Sequence, residues 1–283
     1  MENKIIVPTF SHDKVPGVTF GGFALDRFMC AKPDKRPQRD INLPQAMILA
    51  ADKGKGSHLI TAFEWASMAY LWQQAKSLDE LTVELHAETW QWIMGFFMDP
   101  AGQLDILPSL DVSYAGSPYG RGRIDGSGSP MPILSCEGDQ DSWLKKWKPA
   151  EFDGMKIYIA EAANGSGEFF PIVSTSENAL SLPPGSEPGN GPATFCILRH
   201  VDLDVTSGMN SGDRITSLRE GDDYLAAFAI PDSSNSKGSA KLGYDRFWFR
   251  KDAEMRAAIR GGNFCNGATA GVFALDLNVA PSY

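Results

Sequence analysis

Cysteine and histidine are the residue types in this chain that could hold a soft metal ion or supply a nucleophile. The four cysteines, Cys30, Cys136, Cys196 and Cys265, lie far apart and form no Cys-x-x-Cys pair. Zinc-site spacing is therefore absent, and a disulfide framework is not indicated. The pattern favours free or buried thiols and predicts no metal ligand or catalytic residue among them.

The four histidines, His12, His58, His86 and His200, also lack the short spacing of ligands carried on one helix or strand. The sequence leaves open whether histidines from distant parts of the chain come together as metal ligands. Each histidine is interpreted as an ordinary surface or hydrogen-bonded side chain.

One short segment resembles the calcium site of sugar-binding lectins. In Glu187-Pro188-Gly189-Asn190, a glycine stands where the Glu-Pro-Asn triplet of those lectins has its asparagine, and no Trp-Asn-Asp follows. Without that amide oxygen a bound cation would lose a ligand. The segment is therefore interpreted as a loop turn, and the sequence predicts no cofactor.

The last forty residues, 244–283, contain a different kind of chemistry, suited to contact more than to catalysis. Gly261, Gly262, Gly267 and Gly271 mark a loop, because glycine permits backbone conformations that other residues resist. The residues between these glycines have unrelated chemistries: Asn263, Phe264, Cys265, Asn266 and Thr269. A small-residue frame that carries unrelated side chains is typical of a surface made for binding. Exposed apolar and aromatic groups at Phe264, Val279 and Tyr283 would also indicate an interaction site.

A strand is predicted to follow this loop. From Val272 to Asn278 the residues alternate, with Phe273, Leu275 and Leu277 on one face. Val272, Ala274, Asp276 and Asn278 then occupy the other face. The alternation predicts a half-buried strand.

Composition limits the classes of protein that the chain can belong to. With 283 residues, 43% hydrophobic and 11% aromatic, the chain can bury a substantial core. A net charge of -9 argues against nucleic acid as a partner, because phosphate binding requires a basic face. No basic segment followed by an apolar one opens the chain, and no run of about eighteen apolar residues occurs, so neither a cleaved signal nor a membrane span is expected.

Two helices are predicted near the N-terminus, after an extended segment from Val18 to Cys30. The first follows Asn42, which can cap it, and ends before Gly54. The second begins at a capping box formed by Thr61 and Glu64. The second helix places Trp65, Met68, Ala69 and Trp72 on one face, and this face is interpreted as core.

The middle of the chain is predicted to consist of short strands and long loops. Residues 88–107 favour a hairpin around Asp-Pro-Ala-Gly at 99–102, with a helix over 78–98 as the alternative. Strands are expected over 153–162 and 193–200. Segments rich in Gly, Ser and Pro are expected to be loops: 113–130, 177–191, 211–221 and 232–240.

An aromatic and basic cluster precedes the glycine-rich loop: Tyr244, Arg246, Phe247, Trp248, Phe249 and Arg250. Aromatic residues and arginine dominate contact hot spots, so the cluster could extend a binding face. Burial of alternate aromatic residues in a strand that leads into a helix-like segment, 253–259, is the favoured interpretation.

The C-terminal segment resembles the variable region of diversity-generating-retroelement variable proteins. The resemblance rests on Arg260-Gly261-Gly262, on the Asn-Gly-Ala-x-Ala-Gly-Val-Phe-Ala-Leu-x-Leu-Asn run over 266–278, and on Ala280-Pro281-Ser282. A second match is the Leu-x-Thr-x-x-Glu-Trp helix start at 59–65, which resembles the formylglycine-generating-enzyme type of C-type-lectin-like fold. Together the matches cover about 20–72 and 247–283.

The resemblance implies an α+β, C-type-lectin-like fold with long loop insertions, formed by one domain over 1–283, with 244–283 as the variable ligand-binding segment. In that family, adenine-templated mutagenesis varies chosen codons, and asparagine is the implied template residue at many of them. Changing adenines in an asparagine codon can produce the residues found at six positions: Phe264, Cys265, Thr269, Asp276, Val279 and Tyr283. Asn263 and Asn266 are then unchanged positions, and Asn278 joins the expected contact set.

The implied function is non-catalytic binding of a variable protein or glycan partner, expected on a host cell surface. Without a secretory signal, location on a virion or phage tail is expected, with a cell surface reached by a non-cleaved route as the alternative. The competing function is a metal-dependent oxidase related to formylglycine-generating enzymes, which use a cysteine pair to hold copper. Cys265 lies near the first of those positions, and no second cysteine follows it. Members of the variable-protein family continue past Ala-Pro-Ser into a further strand, whereas this chain stops at Tyr283.

Overall fold

A computed structural model describes residues 4–26, 41–54, 57–76, 97–98, 103–106, 119–125, 133–136, 147–177, 179–202, 209–221, 224–250, 256–261 and 271–279. The described chain is mixed, mostly sheet with few helices, which confirms the α+β class. It divides into two compact units, one of 1–39, 60–103 and 203–279, and another of 40–59, 104–202 and 280–283. The one-domain interpretation stays a prediction.

The strands, in chain order, are β1 Lys4–Val7, β2 Phe10–His12, β3 Val15–Phe20, β4 Phe23–Asp26, β5 Phe97–Met98, β6 Gln103–Ile106, β7 Tyr119–Asp125, β8 Ile133–Cys136, β9 Lys156–Ile159, β10 Glu168–Pro171, β11 Ser174–Thr175, β12 Ala179–Ser181, β13 Gly191–Asp202, β14 Arg214–Leu218, β15 Pro231–Asn235, β16 Phe247–Phe249, β17 Arg256–Arg260 and β18 Leu275–Val279. The helices are α1 Leu43–Ala51, α2 Ala62–Lys76 and the single turn α3 Ala162–Gly165, with 3₁₀ turns at Tyr224–Phe228 and Ala240–Leu242.

Both predicted helix starts are confirmed. At α1, the Asn42 side chain accepts the Gln45 N–H at 3.0 Å, and the Gln45 side chain accepts the Asn42 N–H at 3.0 Å. At α2, Thr61 Oγ1 accepts the Glu64 N–H at 3.2 Å, and Glu64 Oε2 accepts the Thr61 N–H at 2.8 Å. Each reciprocal pair satisfies two backbone donors that a helix start would otherwise leave unbonded.

The buried face of α2 differs in part from the prediction. Trp65 and Ala69 are buried, as expected, whereas Met68 and Trp72 are only half-buried. Tyr70 is also buried, and its ring lies 5.1 Å from that of Phe20 on β3. The face that packs inward is therefore rotated toward Tyr70, because the β2–β3 hairpin supplies aromatic partners on that side.

The second unit contains an antiparallel sheet in the order β11, β12, β8, β7, β13, β9 and β10. The predicted strands over 153–162 and 193–200 are confirmed by β9 and β13, which pair with Phe195 opposite Ile159. The core of this unit is apolar and fully buried around Phe152, Ile157, Phe195 and Ile197.

Several predicted loops are wrong, because they contain strands. Residues 113–130 include β7, 211–221 include β14 and 232–240 include part of β15. Residues 177–191 include β12, where Leu180 is fully buried. The helix-like segment over 253–259 is β17 instead, with Ala258 and Ile259 buried. In β14 and β15 the serine and threonine side chains bond to one another across the strands, so sheet pairing overrides their loop propensity.

The predicted hairpin over 88–107 is described only in part. β5 and β6 lie on either side of the expected turn, whereas 88–96 and 99–102 fall outside the described residues. Phe97 and Met98 belong to a strand that pairs with β17, so a helix that runs through Met98 is excluded. No helix in the described part of the chain is long and apolar enough to span a membrane.

His12 generates a prediction about acid stability. Its side chain is 4% exposed, its ring lies 4.5 Å from the Tyr70 ring, and its Nδ1 accepts the Lys14 N–H at 3.3 Å. Burial lowers the pKa of His12 below its ordinary value of 6.5, against the opposing effect of Asp13, while Lys14 lowers it further and Glu220 raises it. Because the folded state disfavours the imidazolium, stability is retained above pH 6.5 and lost as the pH falls below it.

We expect His12→Phe, which retains an aromatic ring beside Tyr70 but cannot titrate, to reduce the loss of stability between about pH 7 and 5. Urea unfolding at several pH values measures the effect, with His58→Gln as the control. An unchanged pH dependence in His12→Phe would contradict the assignment.

Candidate ligand-binding segment

The predicted variable segment is supported by three strands of the first unit. β18 lies between β16, with which it is parallel, and β17, with which it is antiparallel. Arg260 at the end of β17 is opposite Leu275 at the start of β18. The segment 262–270, which carries most of the predicted contact residues, connects these two strands in sequence.

Backbone hydrogen bonds join the two ends of this segment. The Gly271 N–H donates to the Gly261 carbonyl at 3.1 Å, and the Gly261 N–H donates to the Ala274 carbonyl at 3.2 Å. The Ala274 N–H in turn donates to the Gly271 carbonyl at 3.0 Å. We call Gly261 and the turn 271–274 the stem, because these hydrogen bonds join the residues on either side of 262–270.

The stem is positioned by the buried carboxylate of Asp245. Asp245 Oδ2 accepts the Phe273 N–H at 2.8 Å, and the residue is 2% exposed. A Cβ added at Gly271 would lie 2.1 Å from Asp245 Oδ1, closer than any van der Waals contact allows. Glycine at 271 is therefore required by the close approach of this carboxylate, which explains one glycine of the predicted frame.

Two further side chains hold the stem to the core. The Trp65 indole N–H, from α2, donates to the Val272 carbonyl at 2.8 Å. Phe273 is fully buried, and its ring meets that of Trp72 edge-on at 6.0 Å. The helix start that the sequence identified thus directly supports the C-terminal segment.

Arg260 is a structural residue whose role the sequence did not reveal. Its side chain is 1% exposed and donates from Nη2 to the Phe228 carbonyl at 2.6 Å and to the Ala229 carbonyl at 3.4 Å. Burial lowers the pKa of Arg260, and Tyr70 acts in the opposite direction. The sequence offers one signal for this role, which is the position of Arg260 in the Arg-Gly-Gly start, between the apolar residues of β17 and the glycines.

The predicted contact residues are described only in part. Asn263, Phe264, Cys265, Asn266, Thr269 and Tyr283 lie outside the described residues, and Val279 is described only as the end of β18. Asp276 and Asn278 lie on the outer face of β18 and are half-buried, while Leu275 and Leu277 are buried. The predicted alternation is therefore confirmed for 275–278.

The start of the strand differs from the prediction. Val272 and Phe273 form a turn, β18 begins at Leu275, and Val272 and Ala274 are buried with the inner residues. Assigning these two residues to an outer face was wrong, because the turn at the stem directs consecutive residues into the core.

The outer face of β18 continues onto β16. Trp248 is the cross-strand neighbour of Asp276 and is half-buried, whereas Phe247 and Phe249 are buried. Core packing of alternate aromatic residues is thus confirmed for this strand. Trp248 stays partly accessible beside Asp276, and tryptophan is enriched where binding energy is concentrated.

Asp276 carries a perturbed carboxyl group. Burial raises its pKa, against the opposing effects of the Asn278 N–H, which donates to Oδ1 at 2.8 Å, and of Arg250. Ionisation of Asp276 is therefore less favourable in the folded state than in the unfolded state.

Among the described residues, no group of three or more His, Cys, Asp and Glu side chains could hold a metal ion. Cys196 is a buried free thiol with its pKa raised by burial. The Glu187–Asn190 segment lies in a loop, as predicted. Comparison with known proteins found no matching family model, no matching curated protein and no matching solved structure.

The contact between Gly271 and Asp245 predicts an energetic coupling. Gly271→Ala should lower the free energy of unfolding by about 1–3 kcal/mol, because the added Cβ displaces a buried carboxylate. In an Asp245→Ala background the same substitution should cost less than about 1 kcal/mol, since the obstructing oxygen is gone. Chemical denaturation of the four proteins measures the coupling, and additive effects would contradict it.

Asp276 predicts a stabilising substitution. Because its folded-state pKa is raised, ionisation above the ordinary value of 3.8 costs the folded state more than the unfolded state. Asp276→Asn should therefore be at least as stable as the wild type near neutral pH, with the advantage lost in acid. Thermal unfolding measures this, with the exposed Asp153→Asn as a charge-matched control. A clear loss of stability at neutral pH would show that the carboxylate has a structural role.

Proposed function

We propose that this protein is a non-catalytic binding protein whose C-terminal segment, 244–283, is diversified to recognise varied protein or glycan partners. The contact residues are Asn263, Phe264, Cys265, Asn266, Thr269, Asp276, Asn278, Val279 and Tyr283. The fold proposed for it is C-type-lectin-like, of the formylglycine-generating-enzyme type, in a diversity-generating-retroelement variable protein. Location on a virion or phage tail accompanies this function.

The observation that carries the proposal is the stem. A segment whose residues change while the fold persists requires ends that are fixed by groups outside it. Gly261 and Gly271 are bonded to each other and to Ala274, and Asp245, Trp65 and Arg260 hold the adjoining strands. None of these bonds uses a side chain from the proposed contact set, so substitutions there leave the supporting bonds in place.

The described contact positions also fit this function. Asp276 and Asn278 are the half-buried residues of β18, while the buried residues on either side, Leu275 and Leu277, are not proposed to vary. The raised pKa of Asp276 is expected of a side chain selected for contact instead of stability. A rigid support also lowers the entropic cost of binding for side chains that have not been optimised together.

A pair of libraries tests the proposal. In the first library, each contact position is encoded by an asparagine codon whose two adenines are randomised. In the second library, the same randomised codon is placed at an equal number of stem and core positions, among them Trp65, Asp245, Gly271 and Phe273. We expect most members of the first library and few of the second to survive protease challenge. Selection of the first library on an unrelated immobilised protein should yield binders that differ at the contact positions. Equal loss of folded members in both libraries would refute the proposal.

The neighbouring DNA supplies a separate measurement. A reverse-transcriptase gene beside a near copy of the final coding segment, with differences concentrated at adenines, is the expected arrangement. Stoichiometric copper or iron in the purified protein would favour the oxidase function instead.

A further inference from the structure

A second candidate site lies on β14, β15 and the segment that leads into β16. Arg214 is directly opposite Asn235 on one side and forms an antiparallel bridge with Arg246 on the other. Directly opposite residues of an antiparallel pair lie on the same face of a sheet. Arg214, Arg246 and Asn235 therefore form one face, while Ile215 and Ser234, the next pair along, are buried on the reverse side. We call this face the arginine face.

The two arginines on this face are a like-charge pair. Like charges directly opposite each other destabilise a sheet, so such a pair requires a compensating group. Within the part of the chain that the structure describes, neither guanidinium has a carboxylate within 4.0 Å. The neighbouring carboxylates interact elsewhere, since Asp213 accepts the Asn210 side-chain amide at 3.2 Å and Asp245 accepts the Phe273 N–H.

Arg246 also has an unused donor. Its Nε is buried and has no hydrogen-bond partner among the described residues. Buried donors in native proteins are normally satisfied, so an unsatisfied one requires an explanation. Arg214 and Arg246 are cross-strand neighbours and half-buried, so together they could bind an anion, and carboxylates match the planar fork of a guanidinium group.

An exposed aromatic ring lies beside these arginines. Tyr244 is 45% exposed, and the Arg214 guanidinium carbon lies 5.6 Å from its ring centroid. Its backbone has a φ of 60°, in the left-handed region that residues with a Cβ rarely adopt, and its N–H donates to the Ser239 carbonyl at 3.0 Å. Strain of this kind persists where the surrounding structure imposes it, and it clusters at ligand sites.

Thr216, Ser233 and Asn235 place short uncharged side chains near Arg214, in a stretch of chain that also carries the exposed Asp232 and Lys237. Thr216 Oγ1 and Ser233 Oγ share a hydrogen bond at 2.6 Å, and the Asn235 side chain accepts the Lys237 and Gly238 N–H groups. A Cβ at Gly238 would lie 2.6 Å from the Arg214 Cβ, so glycine at this position lets the arginine side chain lie across the turn. The Arg214 side chain is therefore held in place on both sides, by Gly238 and by Tyr244.

We propose that the arginine face binds an acidic oligosaccharide, with a uronic acid carboxylate on Arg214 and Arg246 and a sugar ring on Tyr244. The exposed ring matches the apolar C–H face of a pyranose, and the amide and hydroxyl groups match its hydroxyls. The net charge of -9 opposes general attraction of anions, so binding depends on this local arrangement. Tyr244 and Arg246 belong to 244–283, but neither is among the contact positions proposed to vary, so the site does not depend on the diversification proposed above.

Calorimetric titration with tetragalacturonate tests the site. Binding to the wild type is expected, and Arg214→Gln and Arg246→Gln should each weaken it about tenfold or more, because each removes charge-assisted hydrogen bonds. Tyr244→Ala should weaken it by about fivefold. Arg123→Gln, which removes an exposed arginine from β7 in the other unit, is the matched control and should bind as the wild type does.

Two further ligands separate the chemistry of recognition. The methyl ester of tetragalacturonate keeps the rings but loses the carboxylates, and it should bind at least about tenfold more weakly. Tetraglutamate carries the carboxylates without the rings and should bind weakly. Equal binding of tetraglutamate would overturn the assignment to a sugar, and equal binding of the ester would overturn the role of the arginines.

Failure of the wild type to bind tetragalacturonate, or equal affinity in the Arg123→Gln and Arg214→Gln proteins, would overturn the proposal. Thermal unfolding of each variant without ligand distinguishes lost binding from lost folding. Because the variants remove a like-charge pair, they are expected to be as stable as the wild type at low salt.

Discussion

The close approach of the Asp245 carboxylate to the backbone at Gly271 is the constraint on which the C-terminal structure depends. A buried carboxylate is costly unless its oxygens accept hydrogen bonds, and Asp245 meets this need in part with the Phe273 N–H. The bond can form only because residue 271 has no side chain. The turn at Val272 and Phe273 then brings Gly271 back to Gly261, and β18 can pair with β16 and β17. One aspartate and one glycine thus determine the position of the turn that follows 262–270.

The same arrangement is the physical basis for proposing that substitutions in 262–270 leave the rest of the fold unaffected. The groups that bond to the stem are Trp65 of α2, Asp245 and the backbone itself. Arg260 adds a second connection, because its guanidinium donates to carbonyls at the end of the 3₁₀ turn. Substitutions at residues distant from these contacts are expected to change the free energy of unfolding without altering what the contacts contribute. Independence of this kind is what a diversified surface requires.

Local signals in the sequence predicted the helix starts well. Thr61 with Glu64 and Asn42 with Gln45 form bonds within one turn, so residue type and spacing are sufficient to identify them. The loop predictions over β14 and β15 are wrong because their serines and threonines satisfy one another only when two separate segments pair. The helix-like prediction over 253–259 is wrong because alanine favours helices locally, whereas the strand β17 depends on its pairing with β18 and β5. Arg260 could not be assigned a role, since its carbonyl partners lie some thirty residues earlier.

Residues 244–249 show how one segment supplies both the support and the binding chemistry. Asp245, Phe247 and Phe249 are buried and hold the stem and the core, whereas Tyr244, Arg246 and Trp248 are exposed or half-buried. Arg246 bridges to Arg214, and Trp248, two residues further along the same strand segment, is opposite Asp276. If the arginine face binds a glycan and does not itself vary, it would hold a glycan-bearing surface near the residues proposed to vary. Even a weak constant contact would raise the effective concentration for a second interaction, so changes in the proposed variable segment would alter specificity without having to supply all of the affinity.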